Sequence, residues 1–205
     1  MSAQEKRISV PMPRTASFDR NALIAKAREI FWQKGWAGTS MKDLERGLGL
    51  HPGSFYAAFG SKDALYELTL DRYVEEGQAR LDQLVQTHGA LGALKAYLRS
   101  VVEDSAMPVR ACMLSKTLLE LSGQDNQLAS RAKQHMATME ARFASLFAQA
   151  QDEGDIDKGM SAEKRARRFQ SDLMGLRVSA ERGDIDALEL ADEIAADLDR
   201  NHFKS

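Results

Sequence analysis

A single cysteine, four prolines and no long apolar run set the first limits on this 205-residue chain. One thiol closes no internal disulfide and builds no cysteine-cluster metal site, which fits a reducing compartment. No stretch approaches the roughly 18 consecutive apolar residues that a membrane helix requires. The opening MSAQEKRISVPMP lacks the apolar core, roughly 7–15 residues long, of a secretory leader, so a cytoplasmic location is expected. Catalytic signatures are missing too: there is no Gly-rich phosphate loop, no G-x-S-x-G, no H-E-x-x-H and no EF-hand pattern. The histidines at 51, 88, 135 and 202 stand at no metal-ligand spacing, and no E-x-x-H pair supports a di-iron bundle. Neither an enzyme, nor a metal, nor any other cofactor is expected. Net charge is also scarce. With 28 Lys/Arg against 30 Asp/Glu the balance is −2, which taken whole argues against a polyanionic partner.

What is present is helical punctuation. The prolines sit at 11, 13, 52 and 108, leaving long stretches free of helix breakers. Residues 1–17 read as a flexible polar arm carrying Lys6, Arg7 and Arg14. Asp19 is the expected cap of a first helix ending at Gly35. Ser40 with Asp43 forms a capping-box pair opening a short helix that stops at Gly49. Pro52 suits the first position of a third helix, and Gly60-Ser61 separates it from a fourth that reaches about Val85. Longer stripes follow: 91–102, a helix beginning near Pro108, 128–150, 162–180 and 188–198. No period-2 run appears, so the expected fold is all-α.

The short-helix part has the spacing of a helix-turn-helix: 41–48, the turn Gly49-Leu50-His51, then 52–59. His51, Pro52, Gly53, Ser54 and Tyr56 would face outward, while Phe55 and Phe59 point to the core. Thr39, Ser40, Tyr56 and Lys62 place hydroxyls and an ammonium at helix ends, where phosphates are held. Spacing alone leaves open an ordinary helical hairpin in a larger bundle. Charge partition favours the nucleic-acid alternative. Residues 1–70 carry ten Lys/Arg and seven Asp/Glu, a balance of +3, while residues 71–205 carry 18 and 23, a balance of −5.

Residues 39–65, TSMKDLERGLGLHPGSFYAAFGSKDAL, together with Phe31, Gly35-Trp36 and Gly38, resemble the N-terminal domain of the tetracycline-repressor (TetR) family of transcriptional regulators. The resemblance implies a three-helix helix-turn-helix DNA-binding domain over 18–65 and a larger helical ligand-binding and dimerisation domain over 66–205. It also implies a double-stranded DNA operator, a small-molecule inducer that relieves repression, and a homodimer. Phosphate or base contacts carry over to Thr39, Ser40, Tyr56 and Lys62, with His51, Pro52, Gly53 and Ser54 near the bases. His51 stands where that family commonly has a Ser, Thr or Asn cap.

In the resembled family the C-terminal helices pair between subunits, so the stripes 128–150 and 162–180 are the expected dimer seam, and the operator should be palindromic. A ligand cavity is expected among the fourth to eighth helices. Its candidate wall is Met107, Met113, Met136, Met139 and Met174, with Arg99, Arg110, His135 and Arg177 as polar anchors. Cys112 is a further candidate, just inside a helix start, with Arg110 beside it and Lys116 one turn on, an environment that favours a thiolate. Arg110-Ala111-Cys112 is similar to the Arg-Gly-Cys of family members that respond to electrophiles or oxidants, with Ala111 in place of the glycine. The signal is therefore either a non-covalent ligand or modification of Cys112, and the remaining alternative is a ligand-independent helical interaction protein. The fourth helix is the expected lever between ligand and DNA.

Overall fold

The structure, a computed structural model, describes residues 19–103, 111–121, 123 and 126–199. The arm with Lys6, Arg7 and Arg14 lies outside the described residues, as do Met107 and Arg110. The described residues form eight helices and no strand: α1 (Arg20–Lys34), α2 (Met41–Leu48), α3 (Pro52–Phe59), α4 (Lys62–Ser100), α5 (Met113–Leu121), α6 (Gln127–Glu153), α7 (Ala162–Arg182) and α8 (Ala187–Asp197). None is long and apolar enough to cross a membrane.

Local chemistry sets the helix ends. The Asp19 carboxylate accepts from the Asn21 and Ala22 amides at the start of α1. Ser40 and Asp43 form the full reciprocal capping box of α2. Asn126, Ser161 and Asp186 cap α6, α7 and α8 in the same manner. The long α4 is broken at Gly89, whose φ of 70° and ψ of −175° lie outside helical space and separate an arm of 62–88 from one of 90–100. That break answers the expected end of the fourth helix near Val85.

Phe31, Leu44, Leu48, Leu50, Phe55 and Phe59 close a small core in the three-helix head. Leu65, Tyr66 and Leu70 on the first arm of α4 continue that core toward the body, where α6 packs on α4, α5 and α7, and α8 packs on α4. Two expectations are corrected here. The stripe on α6, including Leu128, Ala132, Phe143, Leu146 and Ala150, is buried within the chain, as are Ala162, Ala166, Phe169 and Leu176 on α7. Phe169 lies edge-on to Phe143 at 4.8 Å and to Phe147 at 5.8 Å. The near-heptad spacing therefore marks an intrachain helix pair, and the two stripes do not form an exposed seam. The second correction concerns Cys112, which stands before α5 and not inside it: its carbonyl accepts the Lys116 amide at 2.9 Å, the position of an N-cap.

Candidate nucleic-acid interface and interior cavity

In the head, α2 and α3 meet through Gly49, held at φ 67° and ψ 32°, a left-handed conformation that costs glycine no side-chain clash. Leu50 is buried and its amide returns to the Glu45 carbonyl at 3.0 Å, which pins the turn. His51 precedes α3 without a side-chain capping bond, and Pro52 opens the helix. His51, Pro52, Gly53, Ser54 and Tyr56 are all exposed, with Ala57 and Ala58 beside them. This face contains no Arg, Lys, Asn or Gln. Its hydrogen-bonding groups are His51, Ser54 and Tyr56, while small side chains and methyls permit close approach to thymine methyls. Open space surrounds the position a Cβ would take at Gly53, so that backbone can approach a partner directly.

The flanking groups are tied down. Lys34 Nζ reaches Asp43 at 2.7 Å, joining the end of α1 to the start of α2. Hydrogen bonds from Lys34 and Ser40 hold the Asp43 carboxyl far below the usual carboxylate range. Lys62 Nζ lies 4.4 Å from the Trp36 ring centroid and donates to the Thr39 carbonyl at 2.8 Å. Ser40 is exposed, but Thr39 is not. The Thr39 hydroxyl donates to the Gly35 carbonyl at 2.6 Å and is fully buried, so it fastens the α1–α2 turn and does not face outward.

Below the head lies a cavity of about 270 Å³ bounded by α1, α4, α6, α7 and the start of α5. Cys112, Met136, Met139, Met174 and Arg177, all singled out in the sequence, meet on its wall. The other candidates do not. Met113 is buried in the core and is not on that wall. Arg99 is half-exposed and paired with Glu103 and Asp192. Lys116 donates to the Trp32 carbonyl at 2.8 Å. His135 joins Arg131 on Asp71, at 2.7 and 2.9 Å, in a polar cluster between α4 and α6.

The remaining wall was not anticipated: Arg28 and Trp32 on α1, Tyr73, Glu76 and Arg80 on α4, Tyr97 beyond the break, and Gln170 on α7. A signal did exist, since 28 and 32 share one face of a helix, as do 73, 76 and 80. What spacing does not reveal is that these two faces meet. Trp32 stands edge-on to Tyr73 at 5.1 Å. Arg28 pairs with Glu76, which also receives Arg72 Nε at 2.6 Å. Burial pushes the Tyr73 hydroxyl well above its ordinary pKa, reinforced by the neighbouring Cys112 thiol and opposed by Arg177. Tyr97 is raised by burial as well, against the fields of Arg177 and Arg80.

Helix α5 connects cavity and head. Cys112 and Leu114 line the cavity at its start, and the Glu120 carboxylate near its end accepts from the Trp36 amide at 2.9 Å and the Ala37 amide at 2.7 Å. Between them, Lys116 holds the last turn of α1, and Trp32 Nε1 donates to the Ala111 carbonyl at 2.8 Å. The head is thus fastened to the body by hydrogen bonds as well as by the unbroken 62–88 arm of α4.

Comparison with known proteins agrees with this layout. The model for bacterial regulatory proteins of the tetR family matches residues 23–69, and that for the tetracyclin repressor-like C-terminal domain matches residues 80–195. The HTH-type transcriptional repressor ComR of Escherichia coli K12 is 26% identical over 170 residues, 81% of each chain. The HTH-type transcriptional repressor BdcR of the same strain is 39% identical over 70 residues, 34% of this chain and 35% of that one. Among solved structures, a cysteine mutant of the TetR family transcriptional regulator CifR, complexed with 26 bp double-strand operator DNA, superposes with a TM-score of 0.76 at 26% identity, covering 92% of this chain and 100% of that one. Reduced E. coli NemR gives the same TM-score at 20% identity, over 87% of this chain and 95% of its own, a likeness of fold.

Proposed function

The chain belongs to the tetR family of bacterial regulatory proteins, as a DNA-binding transcriptional regulator of the repressor type and not an enzyme, and from that premise we propose a cytoplasmic homodimeric repressor released from a palindromic operator by a small molecule bound in the interior cavity. The observation that carries this is the position of Arg28 and Trp32: both belong to α1 of the head, and both line the cavity. A ligand there touches the DNA-binding unit itself. Division into an arm (1–17), a DNA-binding head (18–65) and a ligand-binding and dimerisation body (66–205) accompanies the proposal.

Ser40, His51, Pro52, Gly53, Ser54 and Tyr56 form the face assigned to DNA, with Lys62 at its flank and Thr39 as the buried support of the turn. The dimer is assigned to the outer faces of α7 and α8, where Val178 and Leu188 are exposed, because the two buried stripes are already used. Twofold pairing places the two heads in successive major grooves. An inducer works only by binding the DNA-incompetent arrangement more tightly, since equal affinity shifts nothing. The test is selection of bound duplexes from a random pool, then release of the selected operator by a compound library. A bound motif without dyad symmetry would refute the dimer, and compounds that bind the cavity yet leave operator affinity unchanged would refute the release step.

A second mode has its own observation: Cys112 is half-buried on the cavity wall, within hydrogen-bonding reach of Tyr73. An electrophile that entered the cavity would meet the thiol, and alkylation would occupy the same space as a non-covalent ligand. Equal operator release by an electrophile from the parent protein and from Cys112→Ser refutes this mode and leaves the first intact.

A further inference from the structure

The charged groups on the cavity wall are already engaged by the protein itself. Arg28 pairs with Glu29 and Glu76, and Glu76 also receives Arg72 Nε at 2.6 Å, so two cations and two anions offset one another there. Burial opposes ionisation of Glu76, but Arg72 and Arg28 reverse that and lower its pKa. Arg80 donates to the Ser100 carbonyl at 3.0 Å, at the electronegative end of α4. Arg177 is likewise engaged within the protein. The neutral polar groups are taken as well: Trp32 Nε1 and Gln170 Nε2 donate to the Ala111 and Met136 carbonyls at 2.8 and 2.9 Å, and the Tyr73 hydroxyl meets the Cys112 thiol. A charged ligand of either sign has to displace one of these partners or bury an uncompensated charge, and both are costly.

One donor remains open. The buried Nε of Arg28 has no hydrogen-bond partner among the described residues. A neutral acceptor would satisfy that N–H, whereas an anion there would stand beside Glu29 and Glu76. The Arg28 guanidinium lies 6.0 Å from the Trp32 ring centroid, so an acceptor site and a ring site adjoin. Rings and sulfur make up much of the remaining wall. Trp32 stands edge-on to Tyr73, Tyr97 tilts on Phe143 at 5.9 Å, and Met139 and Met174 complete the surface. The volume of about 270 Å³ is close to twice the roughly 150 Å³ that accepts one benzene, room for one substituted ring or two fused rings.

We infer that the cavity takes an uncharged aromatic molecule of one or two rings with a single hydrogen-bond acceptor, its rings among Trp32, Tyr73, Tyr97 and Phe143 and its acceptor at Arg28. This assignment rests on the ligand-release reading above and gives its ligand a charge, a shape and an anchor.

The experiment is titration calorimetry of the full chain with 2-acetonaphthone, a neutral ketone that does not alkylate thiols. Its comparators are 2-naphthoate and 2-naphthylmethylammonium, which carry the same rings with one charge of either sign. The ketone is expected to bind at least about tenfold more tightly than either ion. Its saturated counterpart, 2-acetyldecalin, is expected to bind at least about twofold more weakly, the lower bound for an aromatic contact. Arg28→Lys keeps a positive charge for Glu76 but removes Nε, and should weaken the ketone at least about tenfold. Cys112→Phe and Met174→Phe narrow the cavity from half-buried positions, and at least one of them should weaken the ketone to a similar degree. Retained operator binding reports that each variant is folded. Failure of the ketone to bind overturns the inference, as does either ion or the saturated ketone binding as tightly. Unchanged ketone binding in folded Arg28→Lys overturns the anchor, and unchanged binding in both folded Phe variants overturns the location. Operator release by a charged compound alone would overturn the charge assignment and leave the release reading standing. A ketone that binds with the expected preferences but never releases operator would do the reverse.

Discussion

Replacing Glu120 with Ala is the most direct test of how the head is fastened to the body. The Glu120 carboxylate accepts the Trp36 amide at 2.9 Å and the Ala37 amide at 2.7 Å, and both carboxylate oxygens would lie 3.0 Å from a Cβ added at Gly35. Hydrogen bonds to a charged group contribute about 1.5–3 kcal/mol each. The Ala37 end is exposed, so the lower figure applies, giving about 3 kcal/mol for the pair. For a chain of this size 1 kcal/mol moves the midpoint by about 2–4 °C, so Glu120→Ala should lower Tm by about 6–12 °C. Gly35 sharpens the argument through a double-mutant cycle. At φ 75° and ψ 174°, a region open essentially to glycine alone, an added Cβ is strained by about 1–3 kcal/mol whatever its neighbours. In the parent it also presses on Glu120; in the Glu120→Ala background only the backbone strain is left. Gly35→Ala should therefore cost less in the double mutant than alone. Thermal denaturation followed by circular dichroism measures all four species. A Tm within 1 °C of the parent for Glu120→Ala, or strictly additive costs, would refute the clamp.

Lys62→Ala should weaken operator binding uniformly across sequences and reduce the salt slope by about one, measured by anisotropy between low and moderate salt; an unchanged slope removes Lys62 from the phosphate contacts. Phe169→Ala should destabilise by about 3–5 kcal/mol in denaturant melts, because Phe169 fills the space between Phe143 and Phe147 inside one chain. Burial would raise the Asp71 pKa, but hydrogen bonds from Arg131 and His135 reverse that and lower it below 3.8. A lowered folded pKa adds stability that is present above the unfolded value and lost as pH falls through the folded one. Asp71→Asn should therefore reduce stability at neutral pH and flatten the loss of stability below about pH 4, read from urea midpoints across pH.

The head was more legible than the body because its signals are local. Ser40 with Asp43, Gly49 and Pro52 each act within one turn of chain, so their caps and the reentrant turn follow from residue type and spacing. The body depends on which faces meet. Periodicity showed that 128–150 and 162–180 each present an apolar face, but an apolar face does not name its partner, and here α6 and α7 cover one another inside the chain. Thr39 misled for a related reason. A threonine beside a cap reads as an outward hydroxyl, yet the left-behind Gly35 carbonyl claims it at 2.6 Å. The cavity candidates divided by the same rule: methionines and Arg177 converge because α6 and α7 do, whereas Arg99 is taken by Asp192 on α8. Whole-chain charge was the least informative quantity, since it averages a basic head with an acidic body.

The expected lever was α4; in the proposed release mechanism the bonding pattern gives α1 and α5 a share of the coupling. A ligand that moves an equilibrium from 1:99 to 99:1 must prefer one state by about 5.5 kcal/mol. A long helix hinged on its packing offers only diffuse resistance to such a change, whereas three specific ties join α1 and its following turn to α5 and the residues just before it: Trp32 Nε1 to the Ala111 carbonyl, Lys116 to the Trp32 carbonyl, and the Trp36 and Ala37 amides to Glu120. Trp32 is the member common to the cavity wall and to two of these ties. A ligand that displaces its ring therefore acts where the ring, its backbone and α5 are already bonded together. Displacement that keeps all three ties must carry α1 and α5 as one unit and tilt the head; displacement that breaks one frees the head from the body. Under the proposed release mechanism either outcome would shift the head relative to the body, and the ligand's preference must exceed the cost of whichever ties are lost.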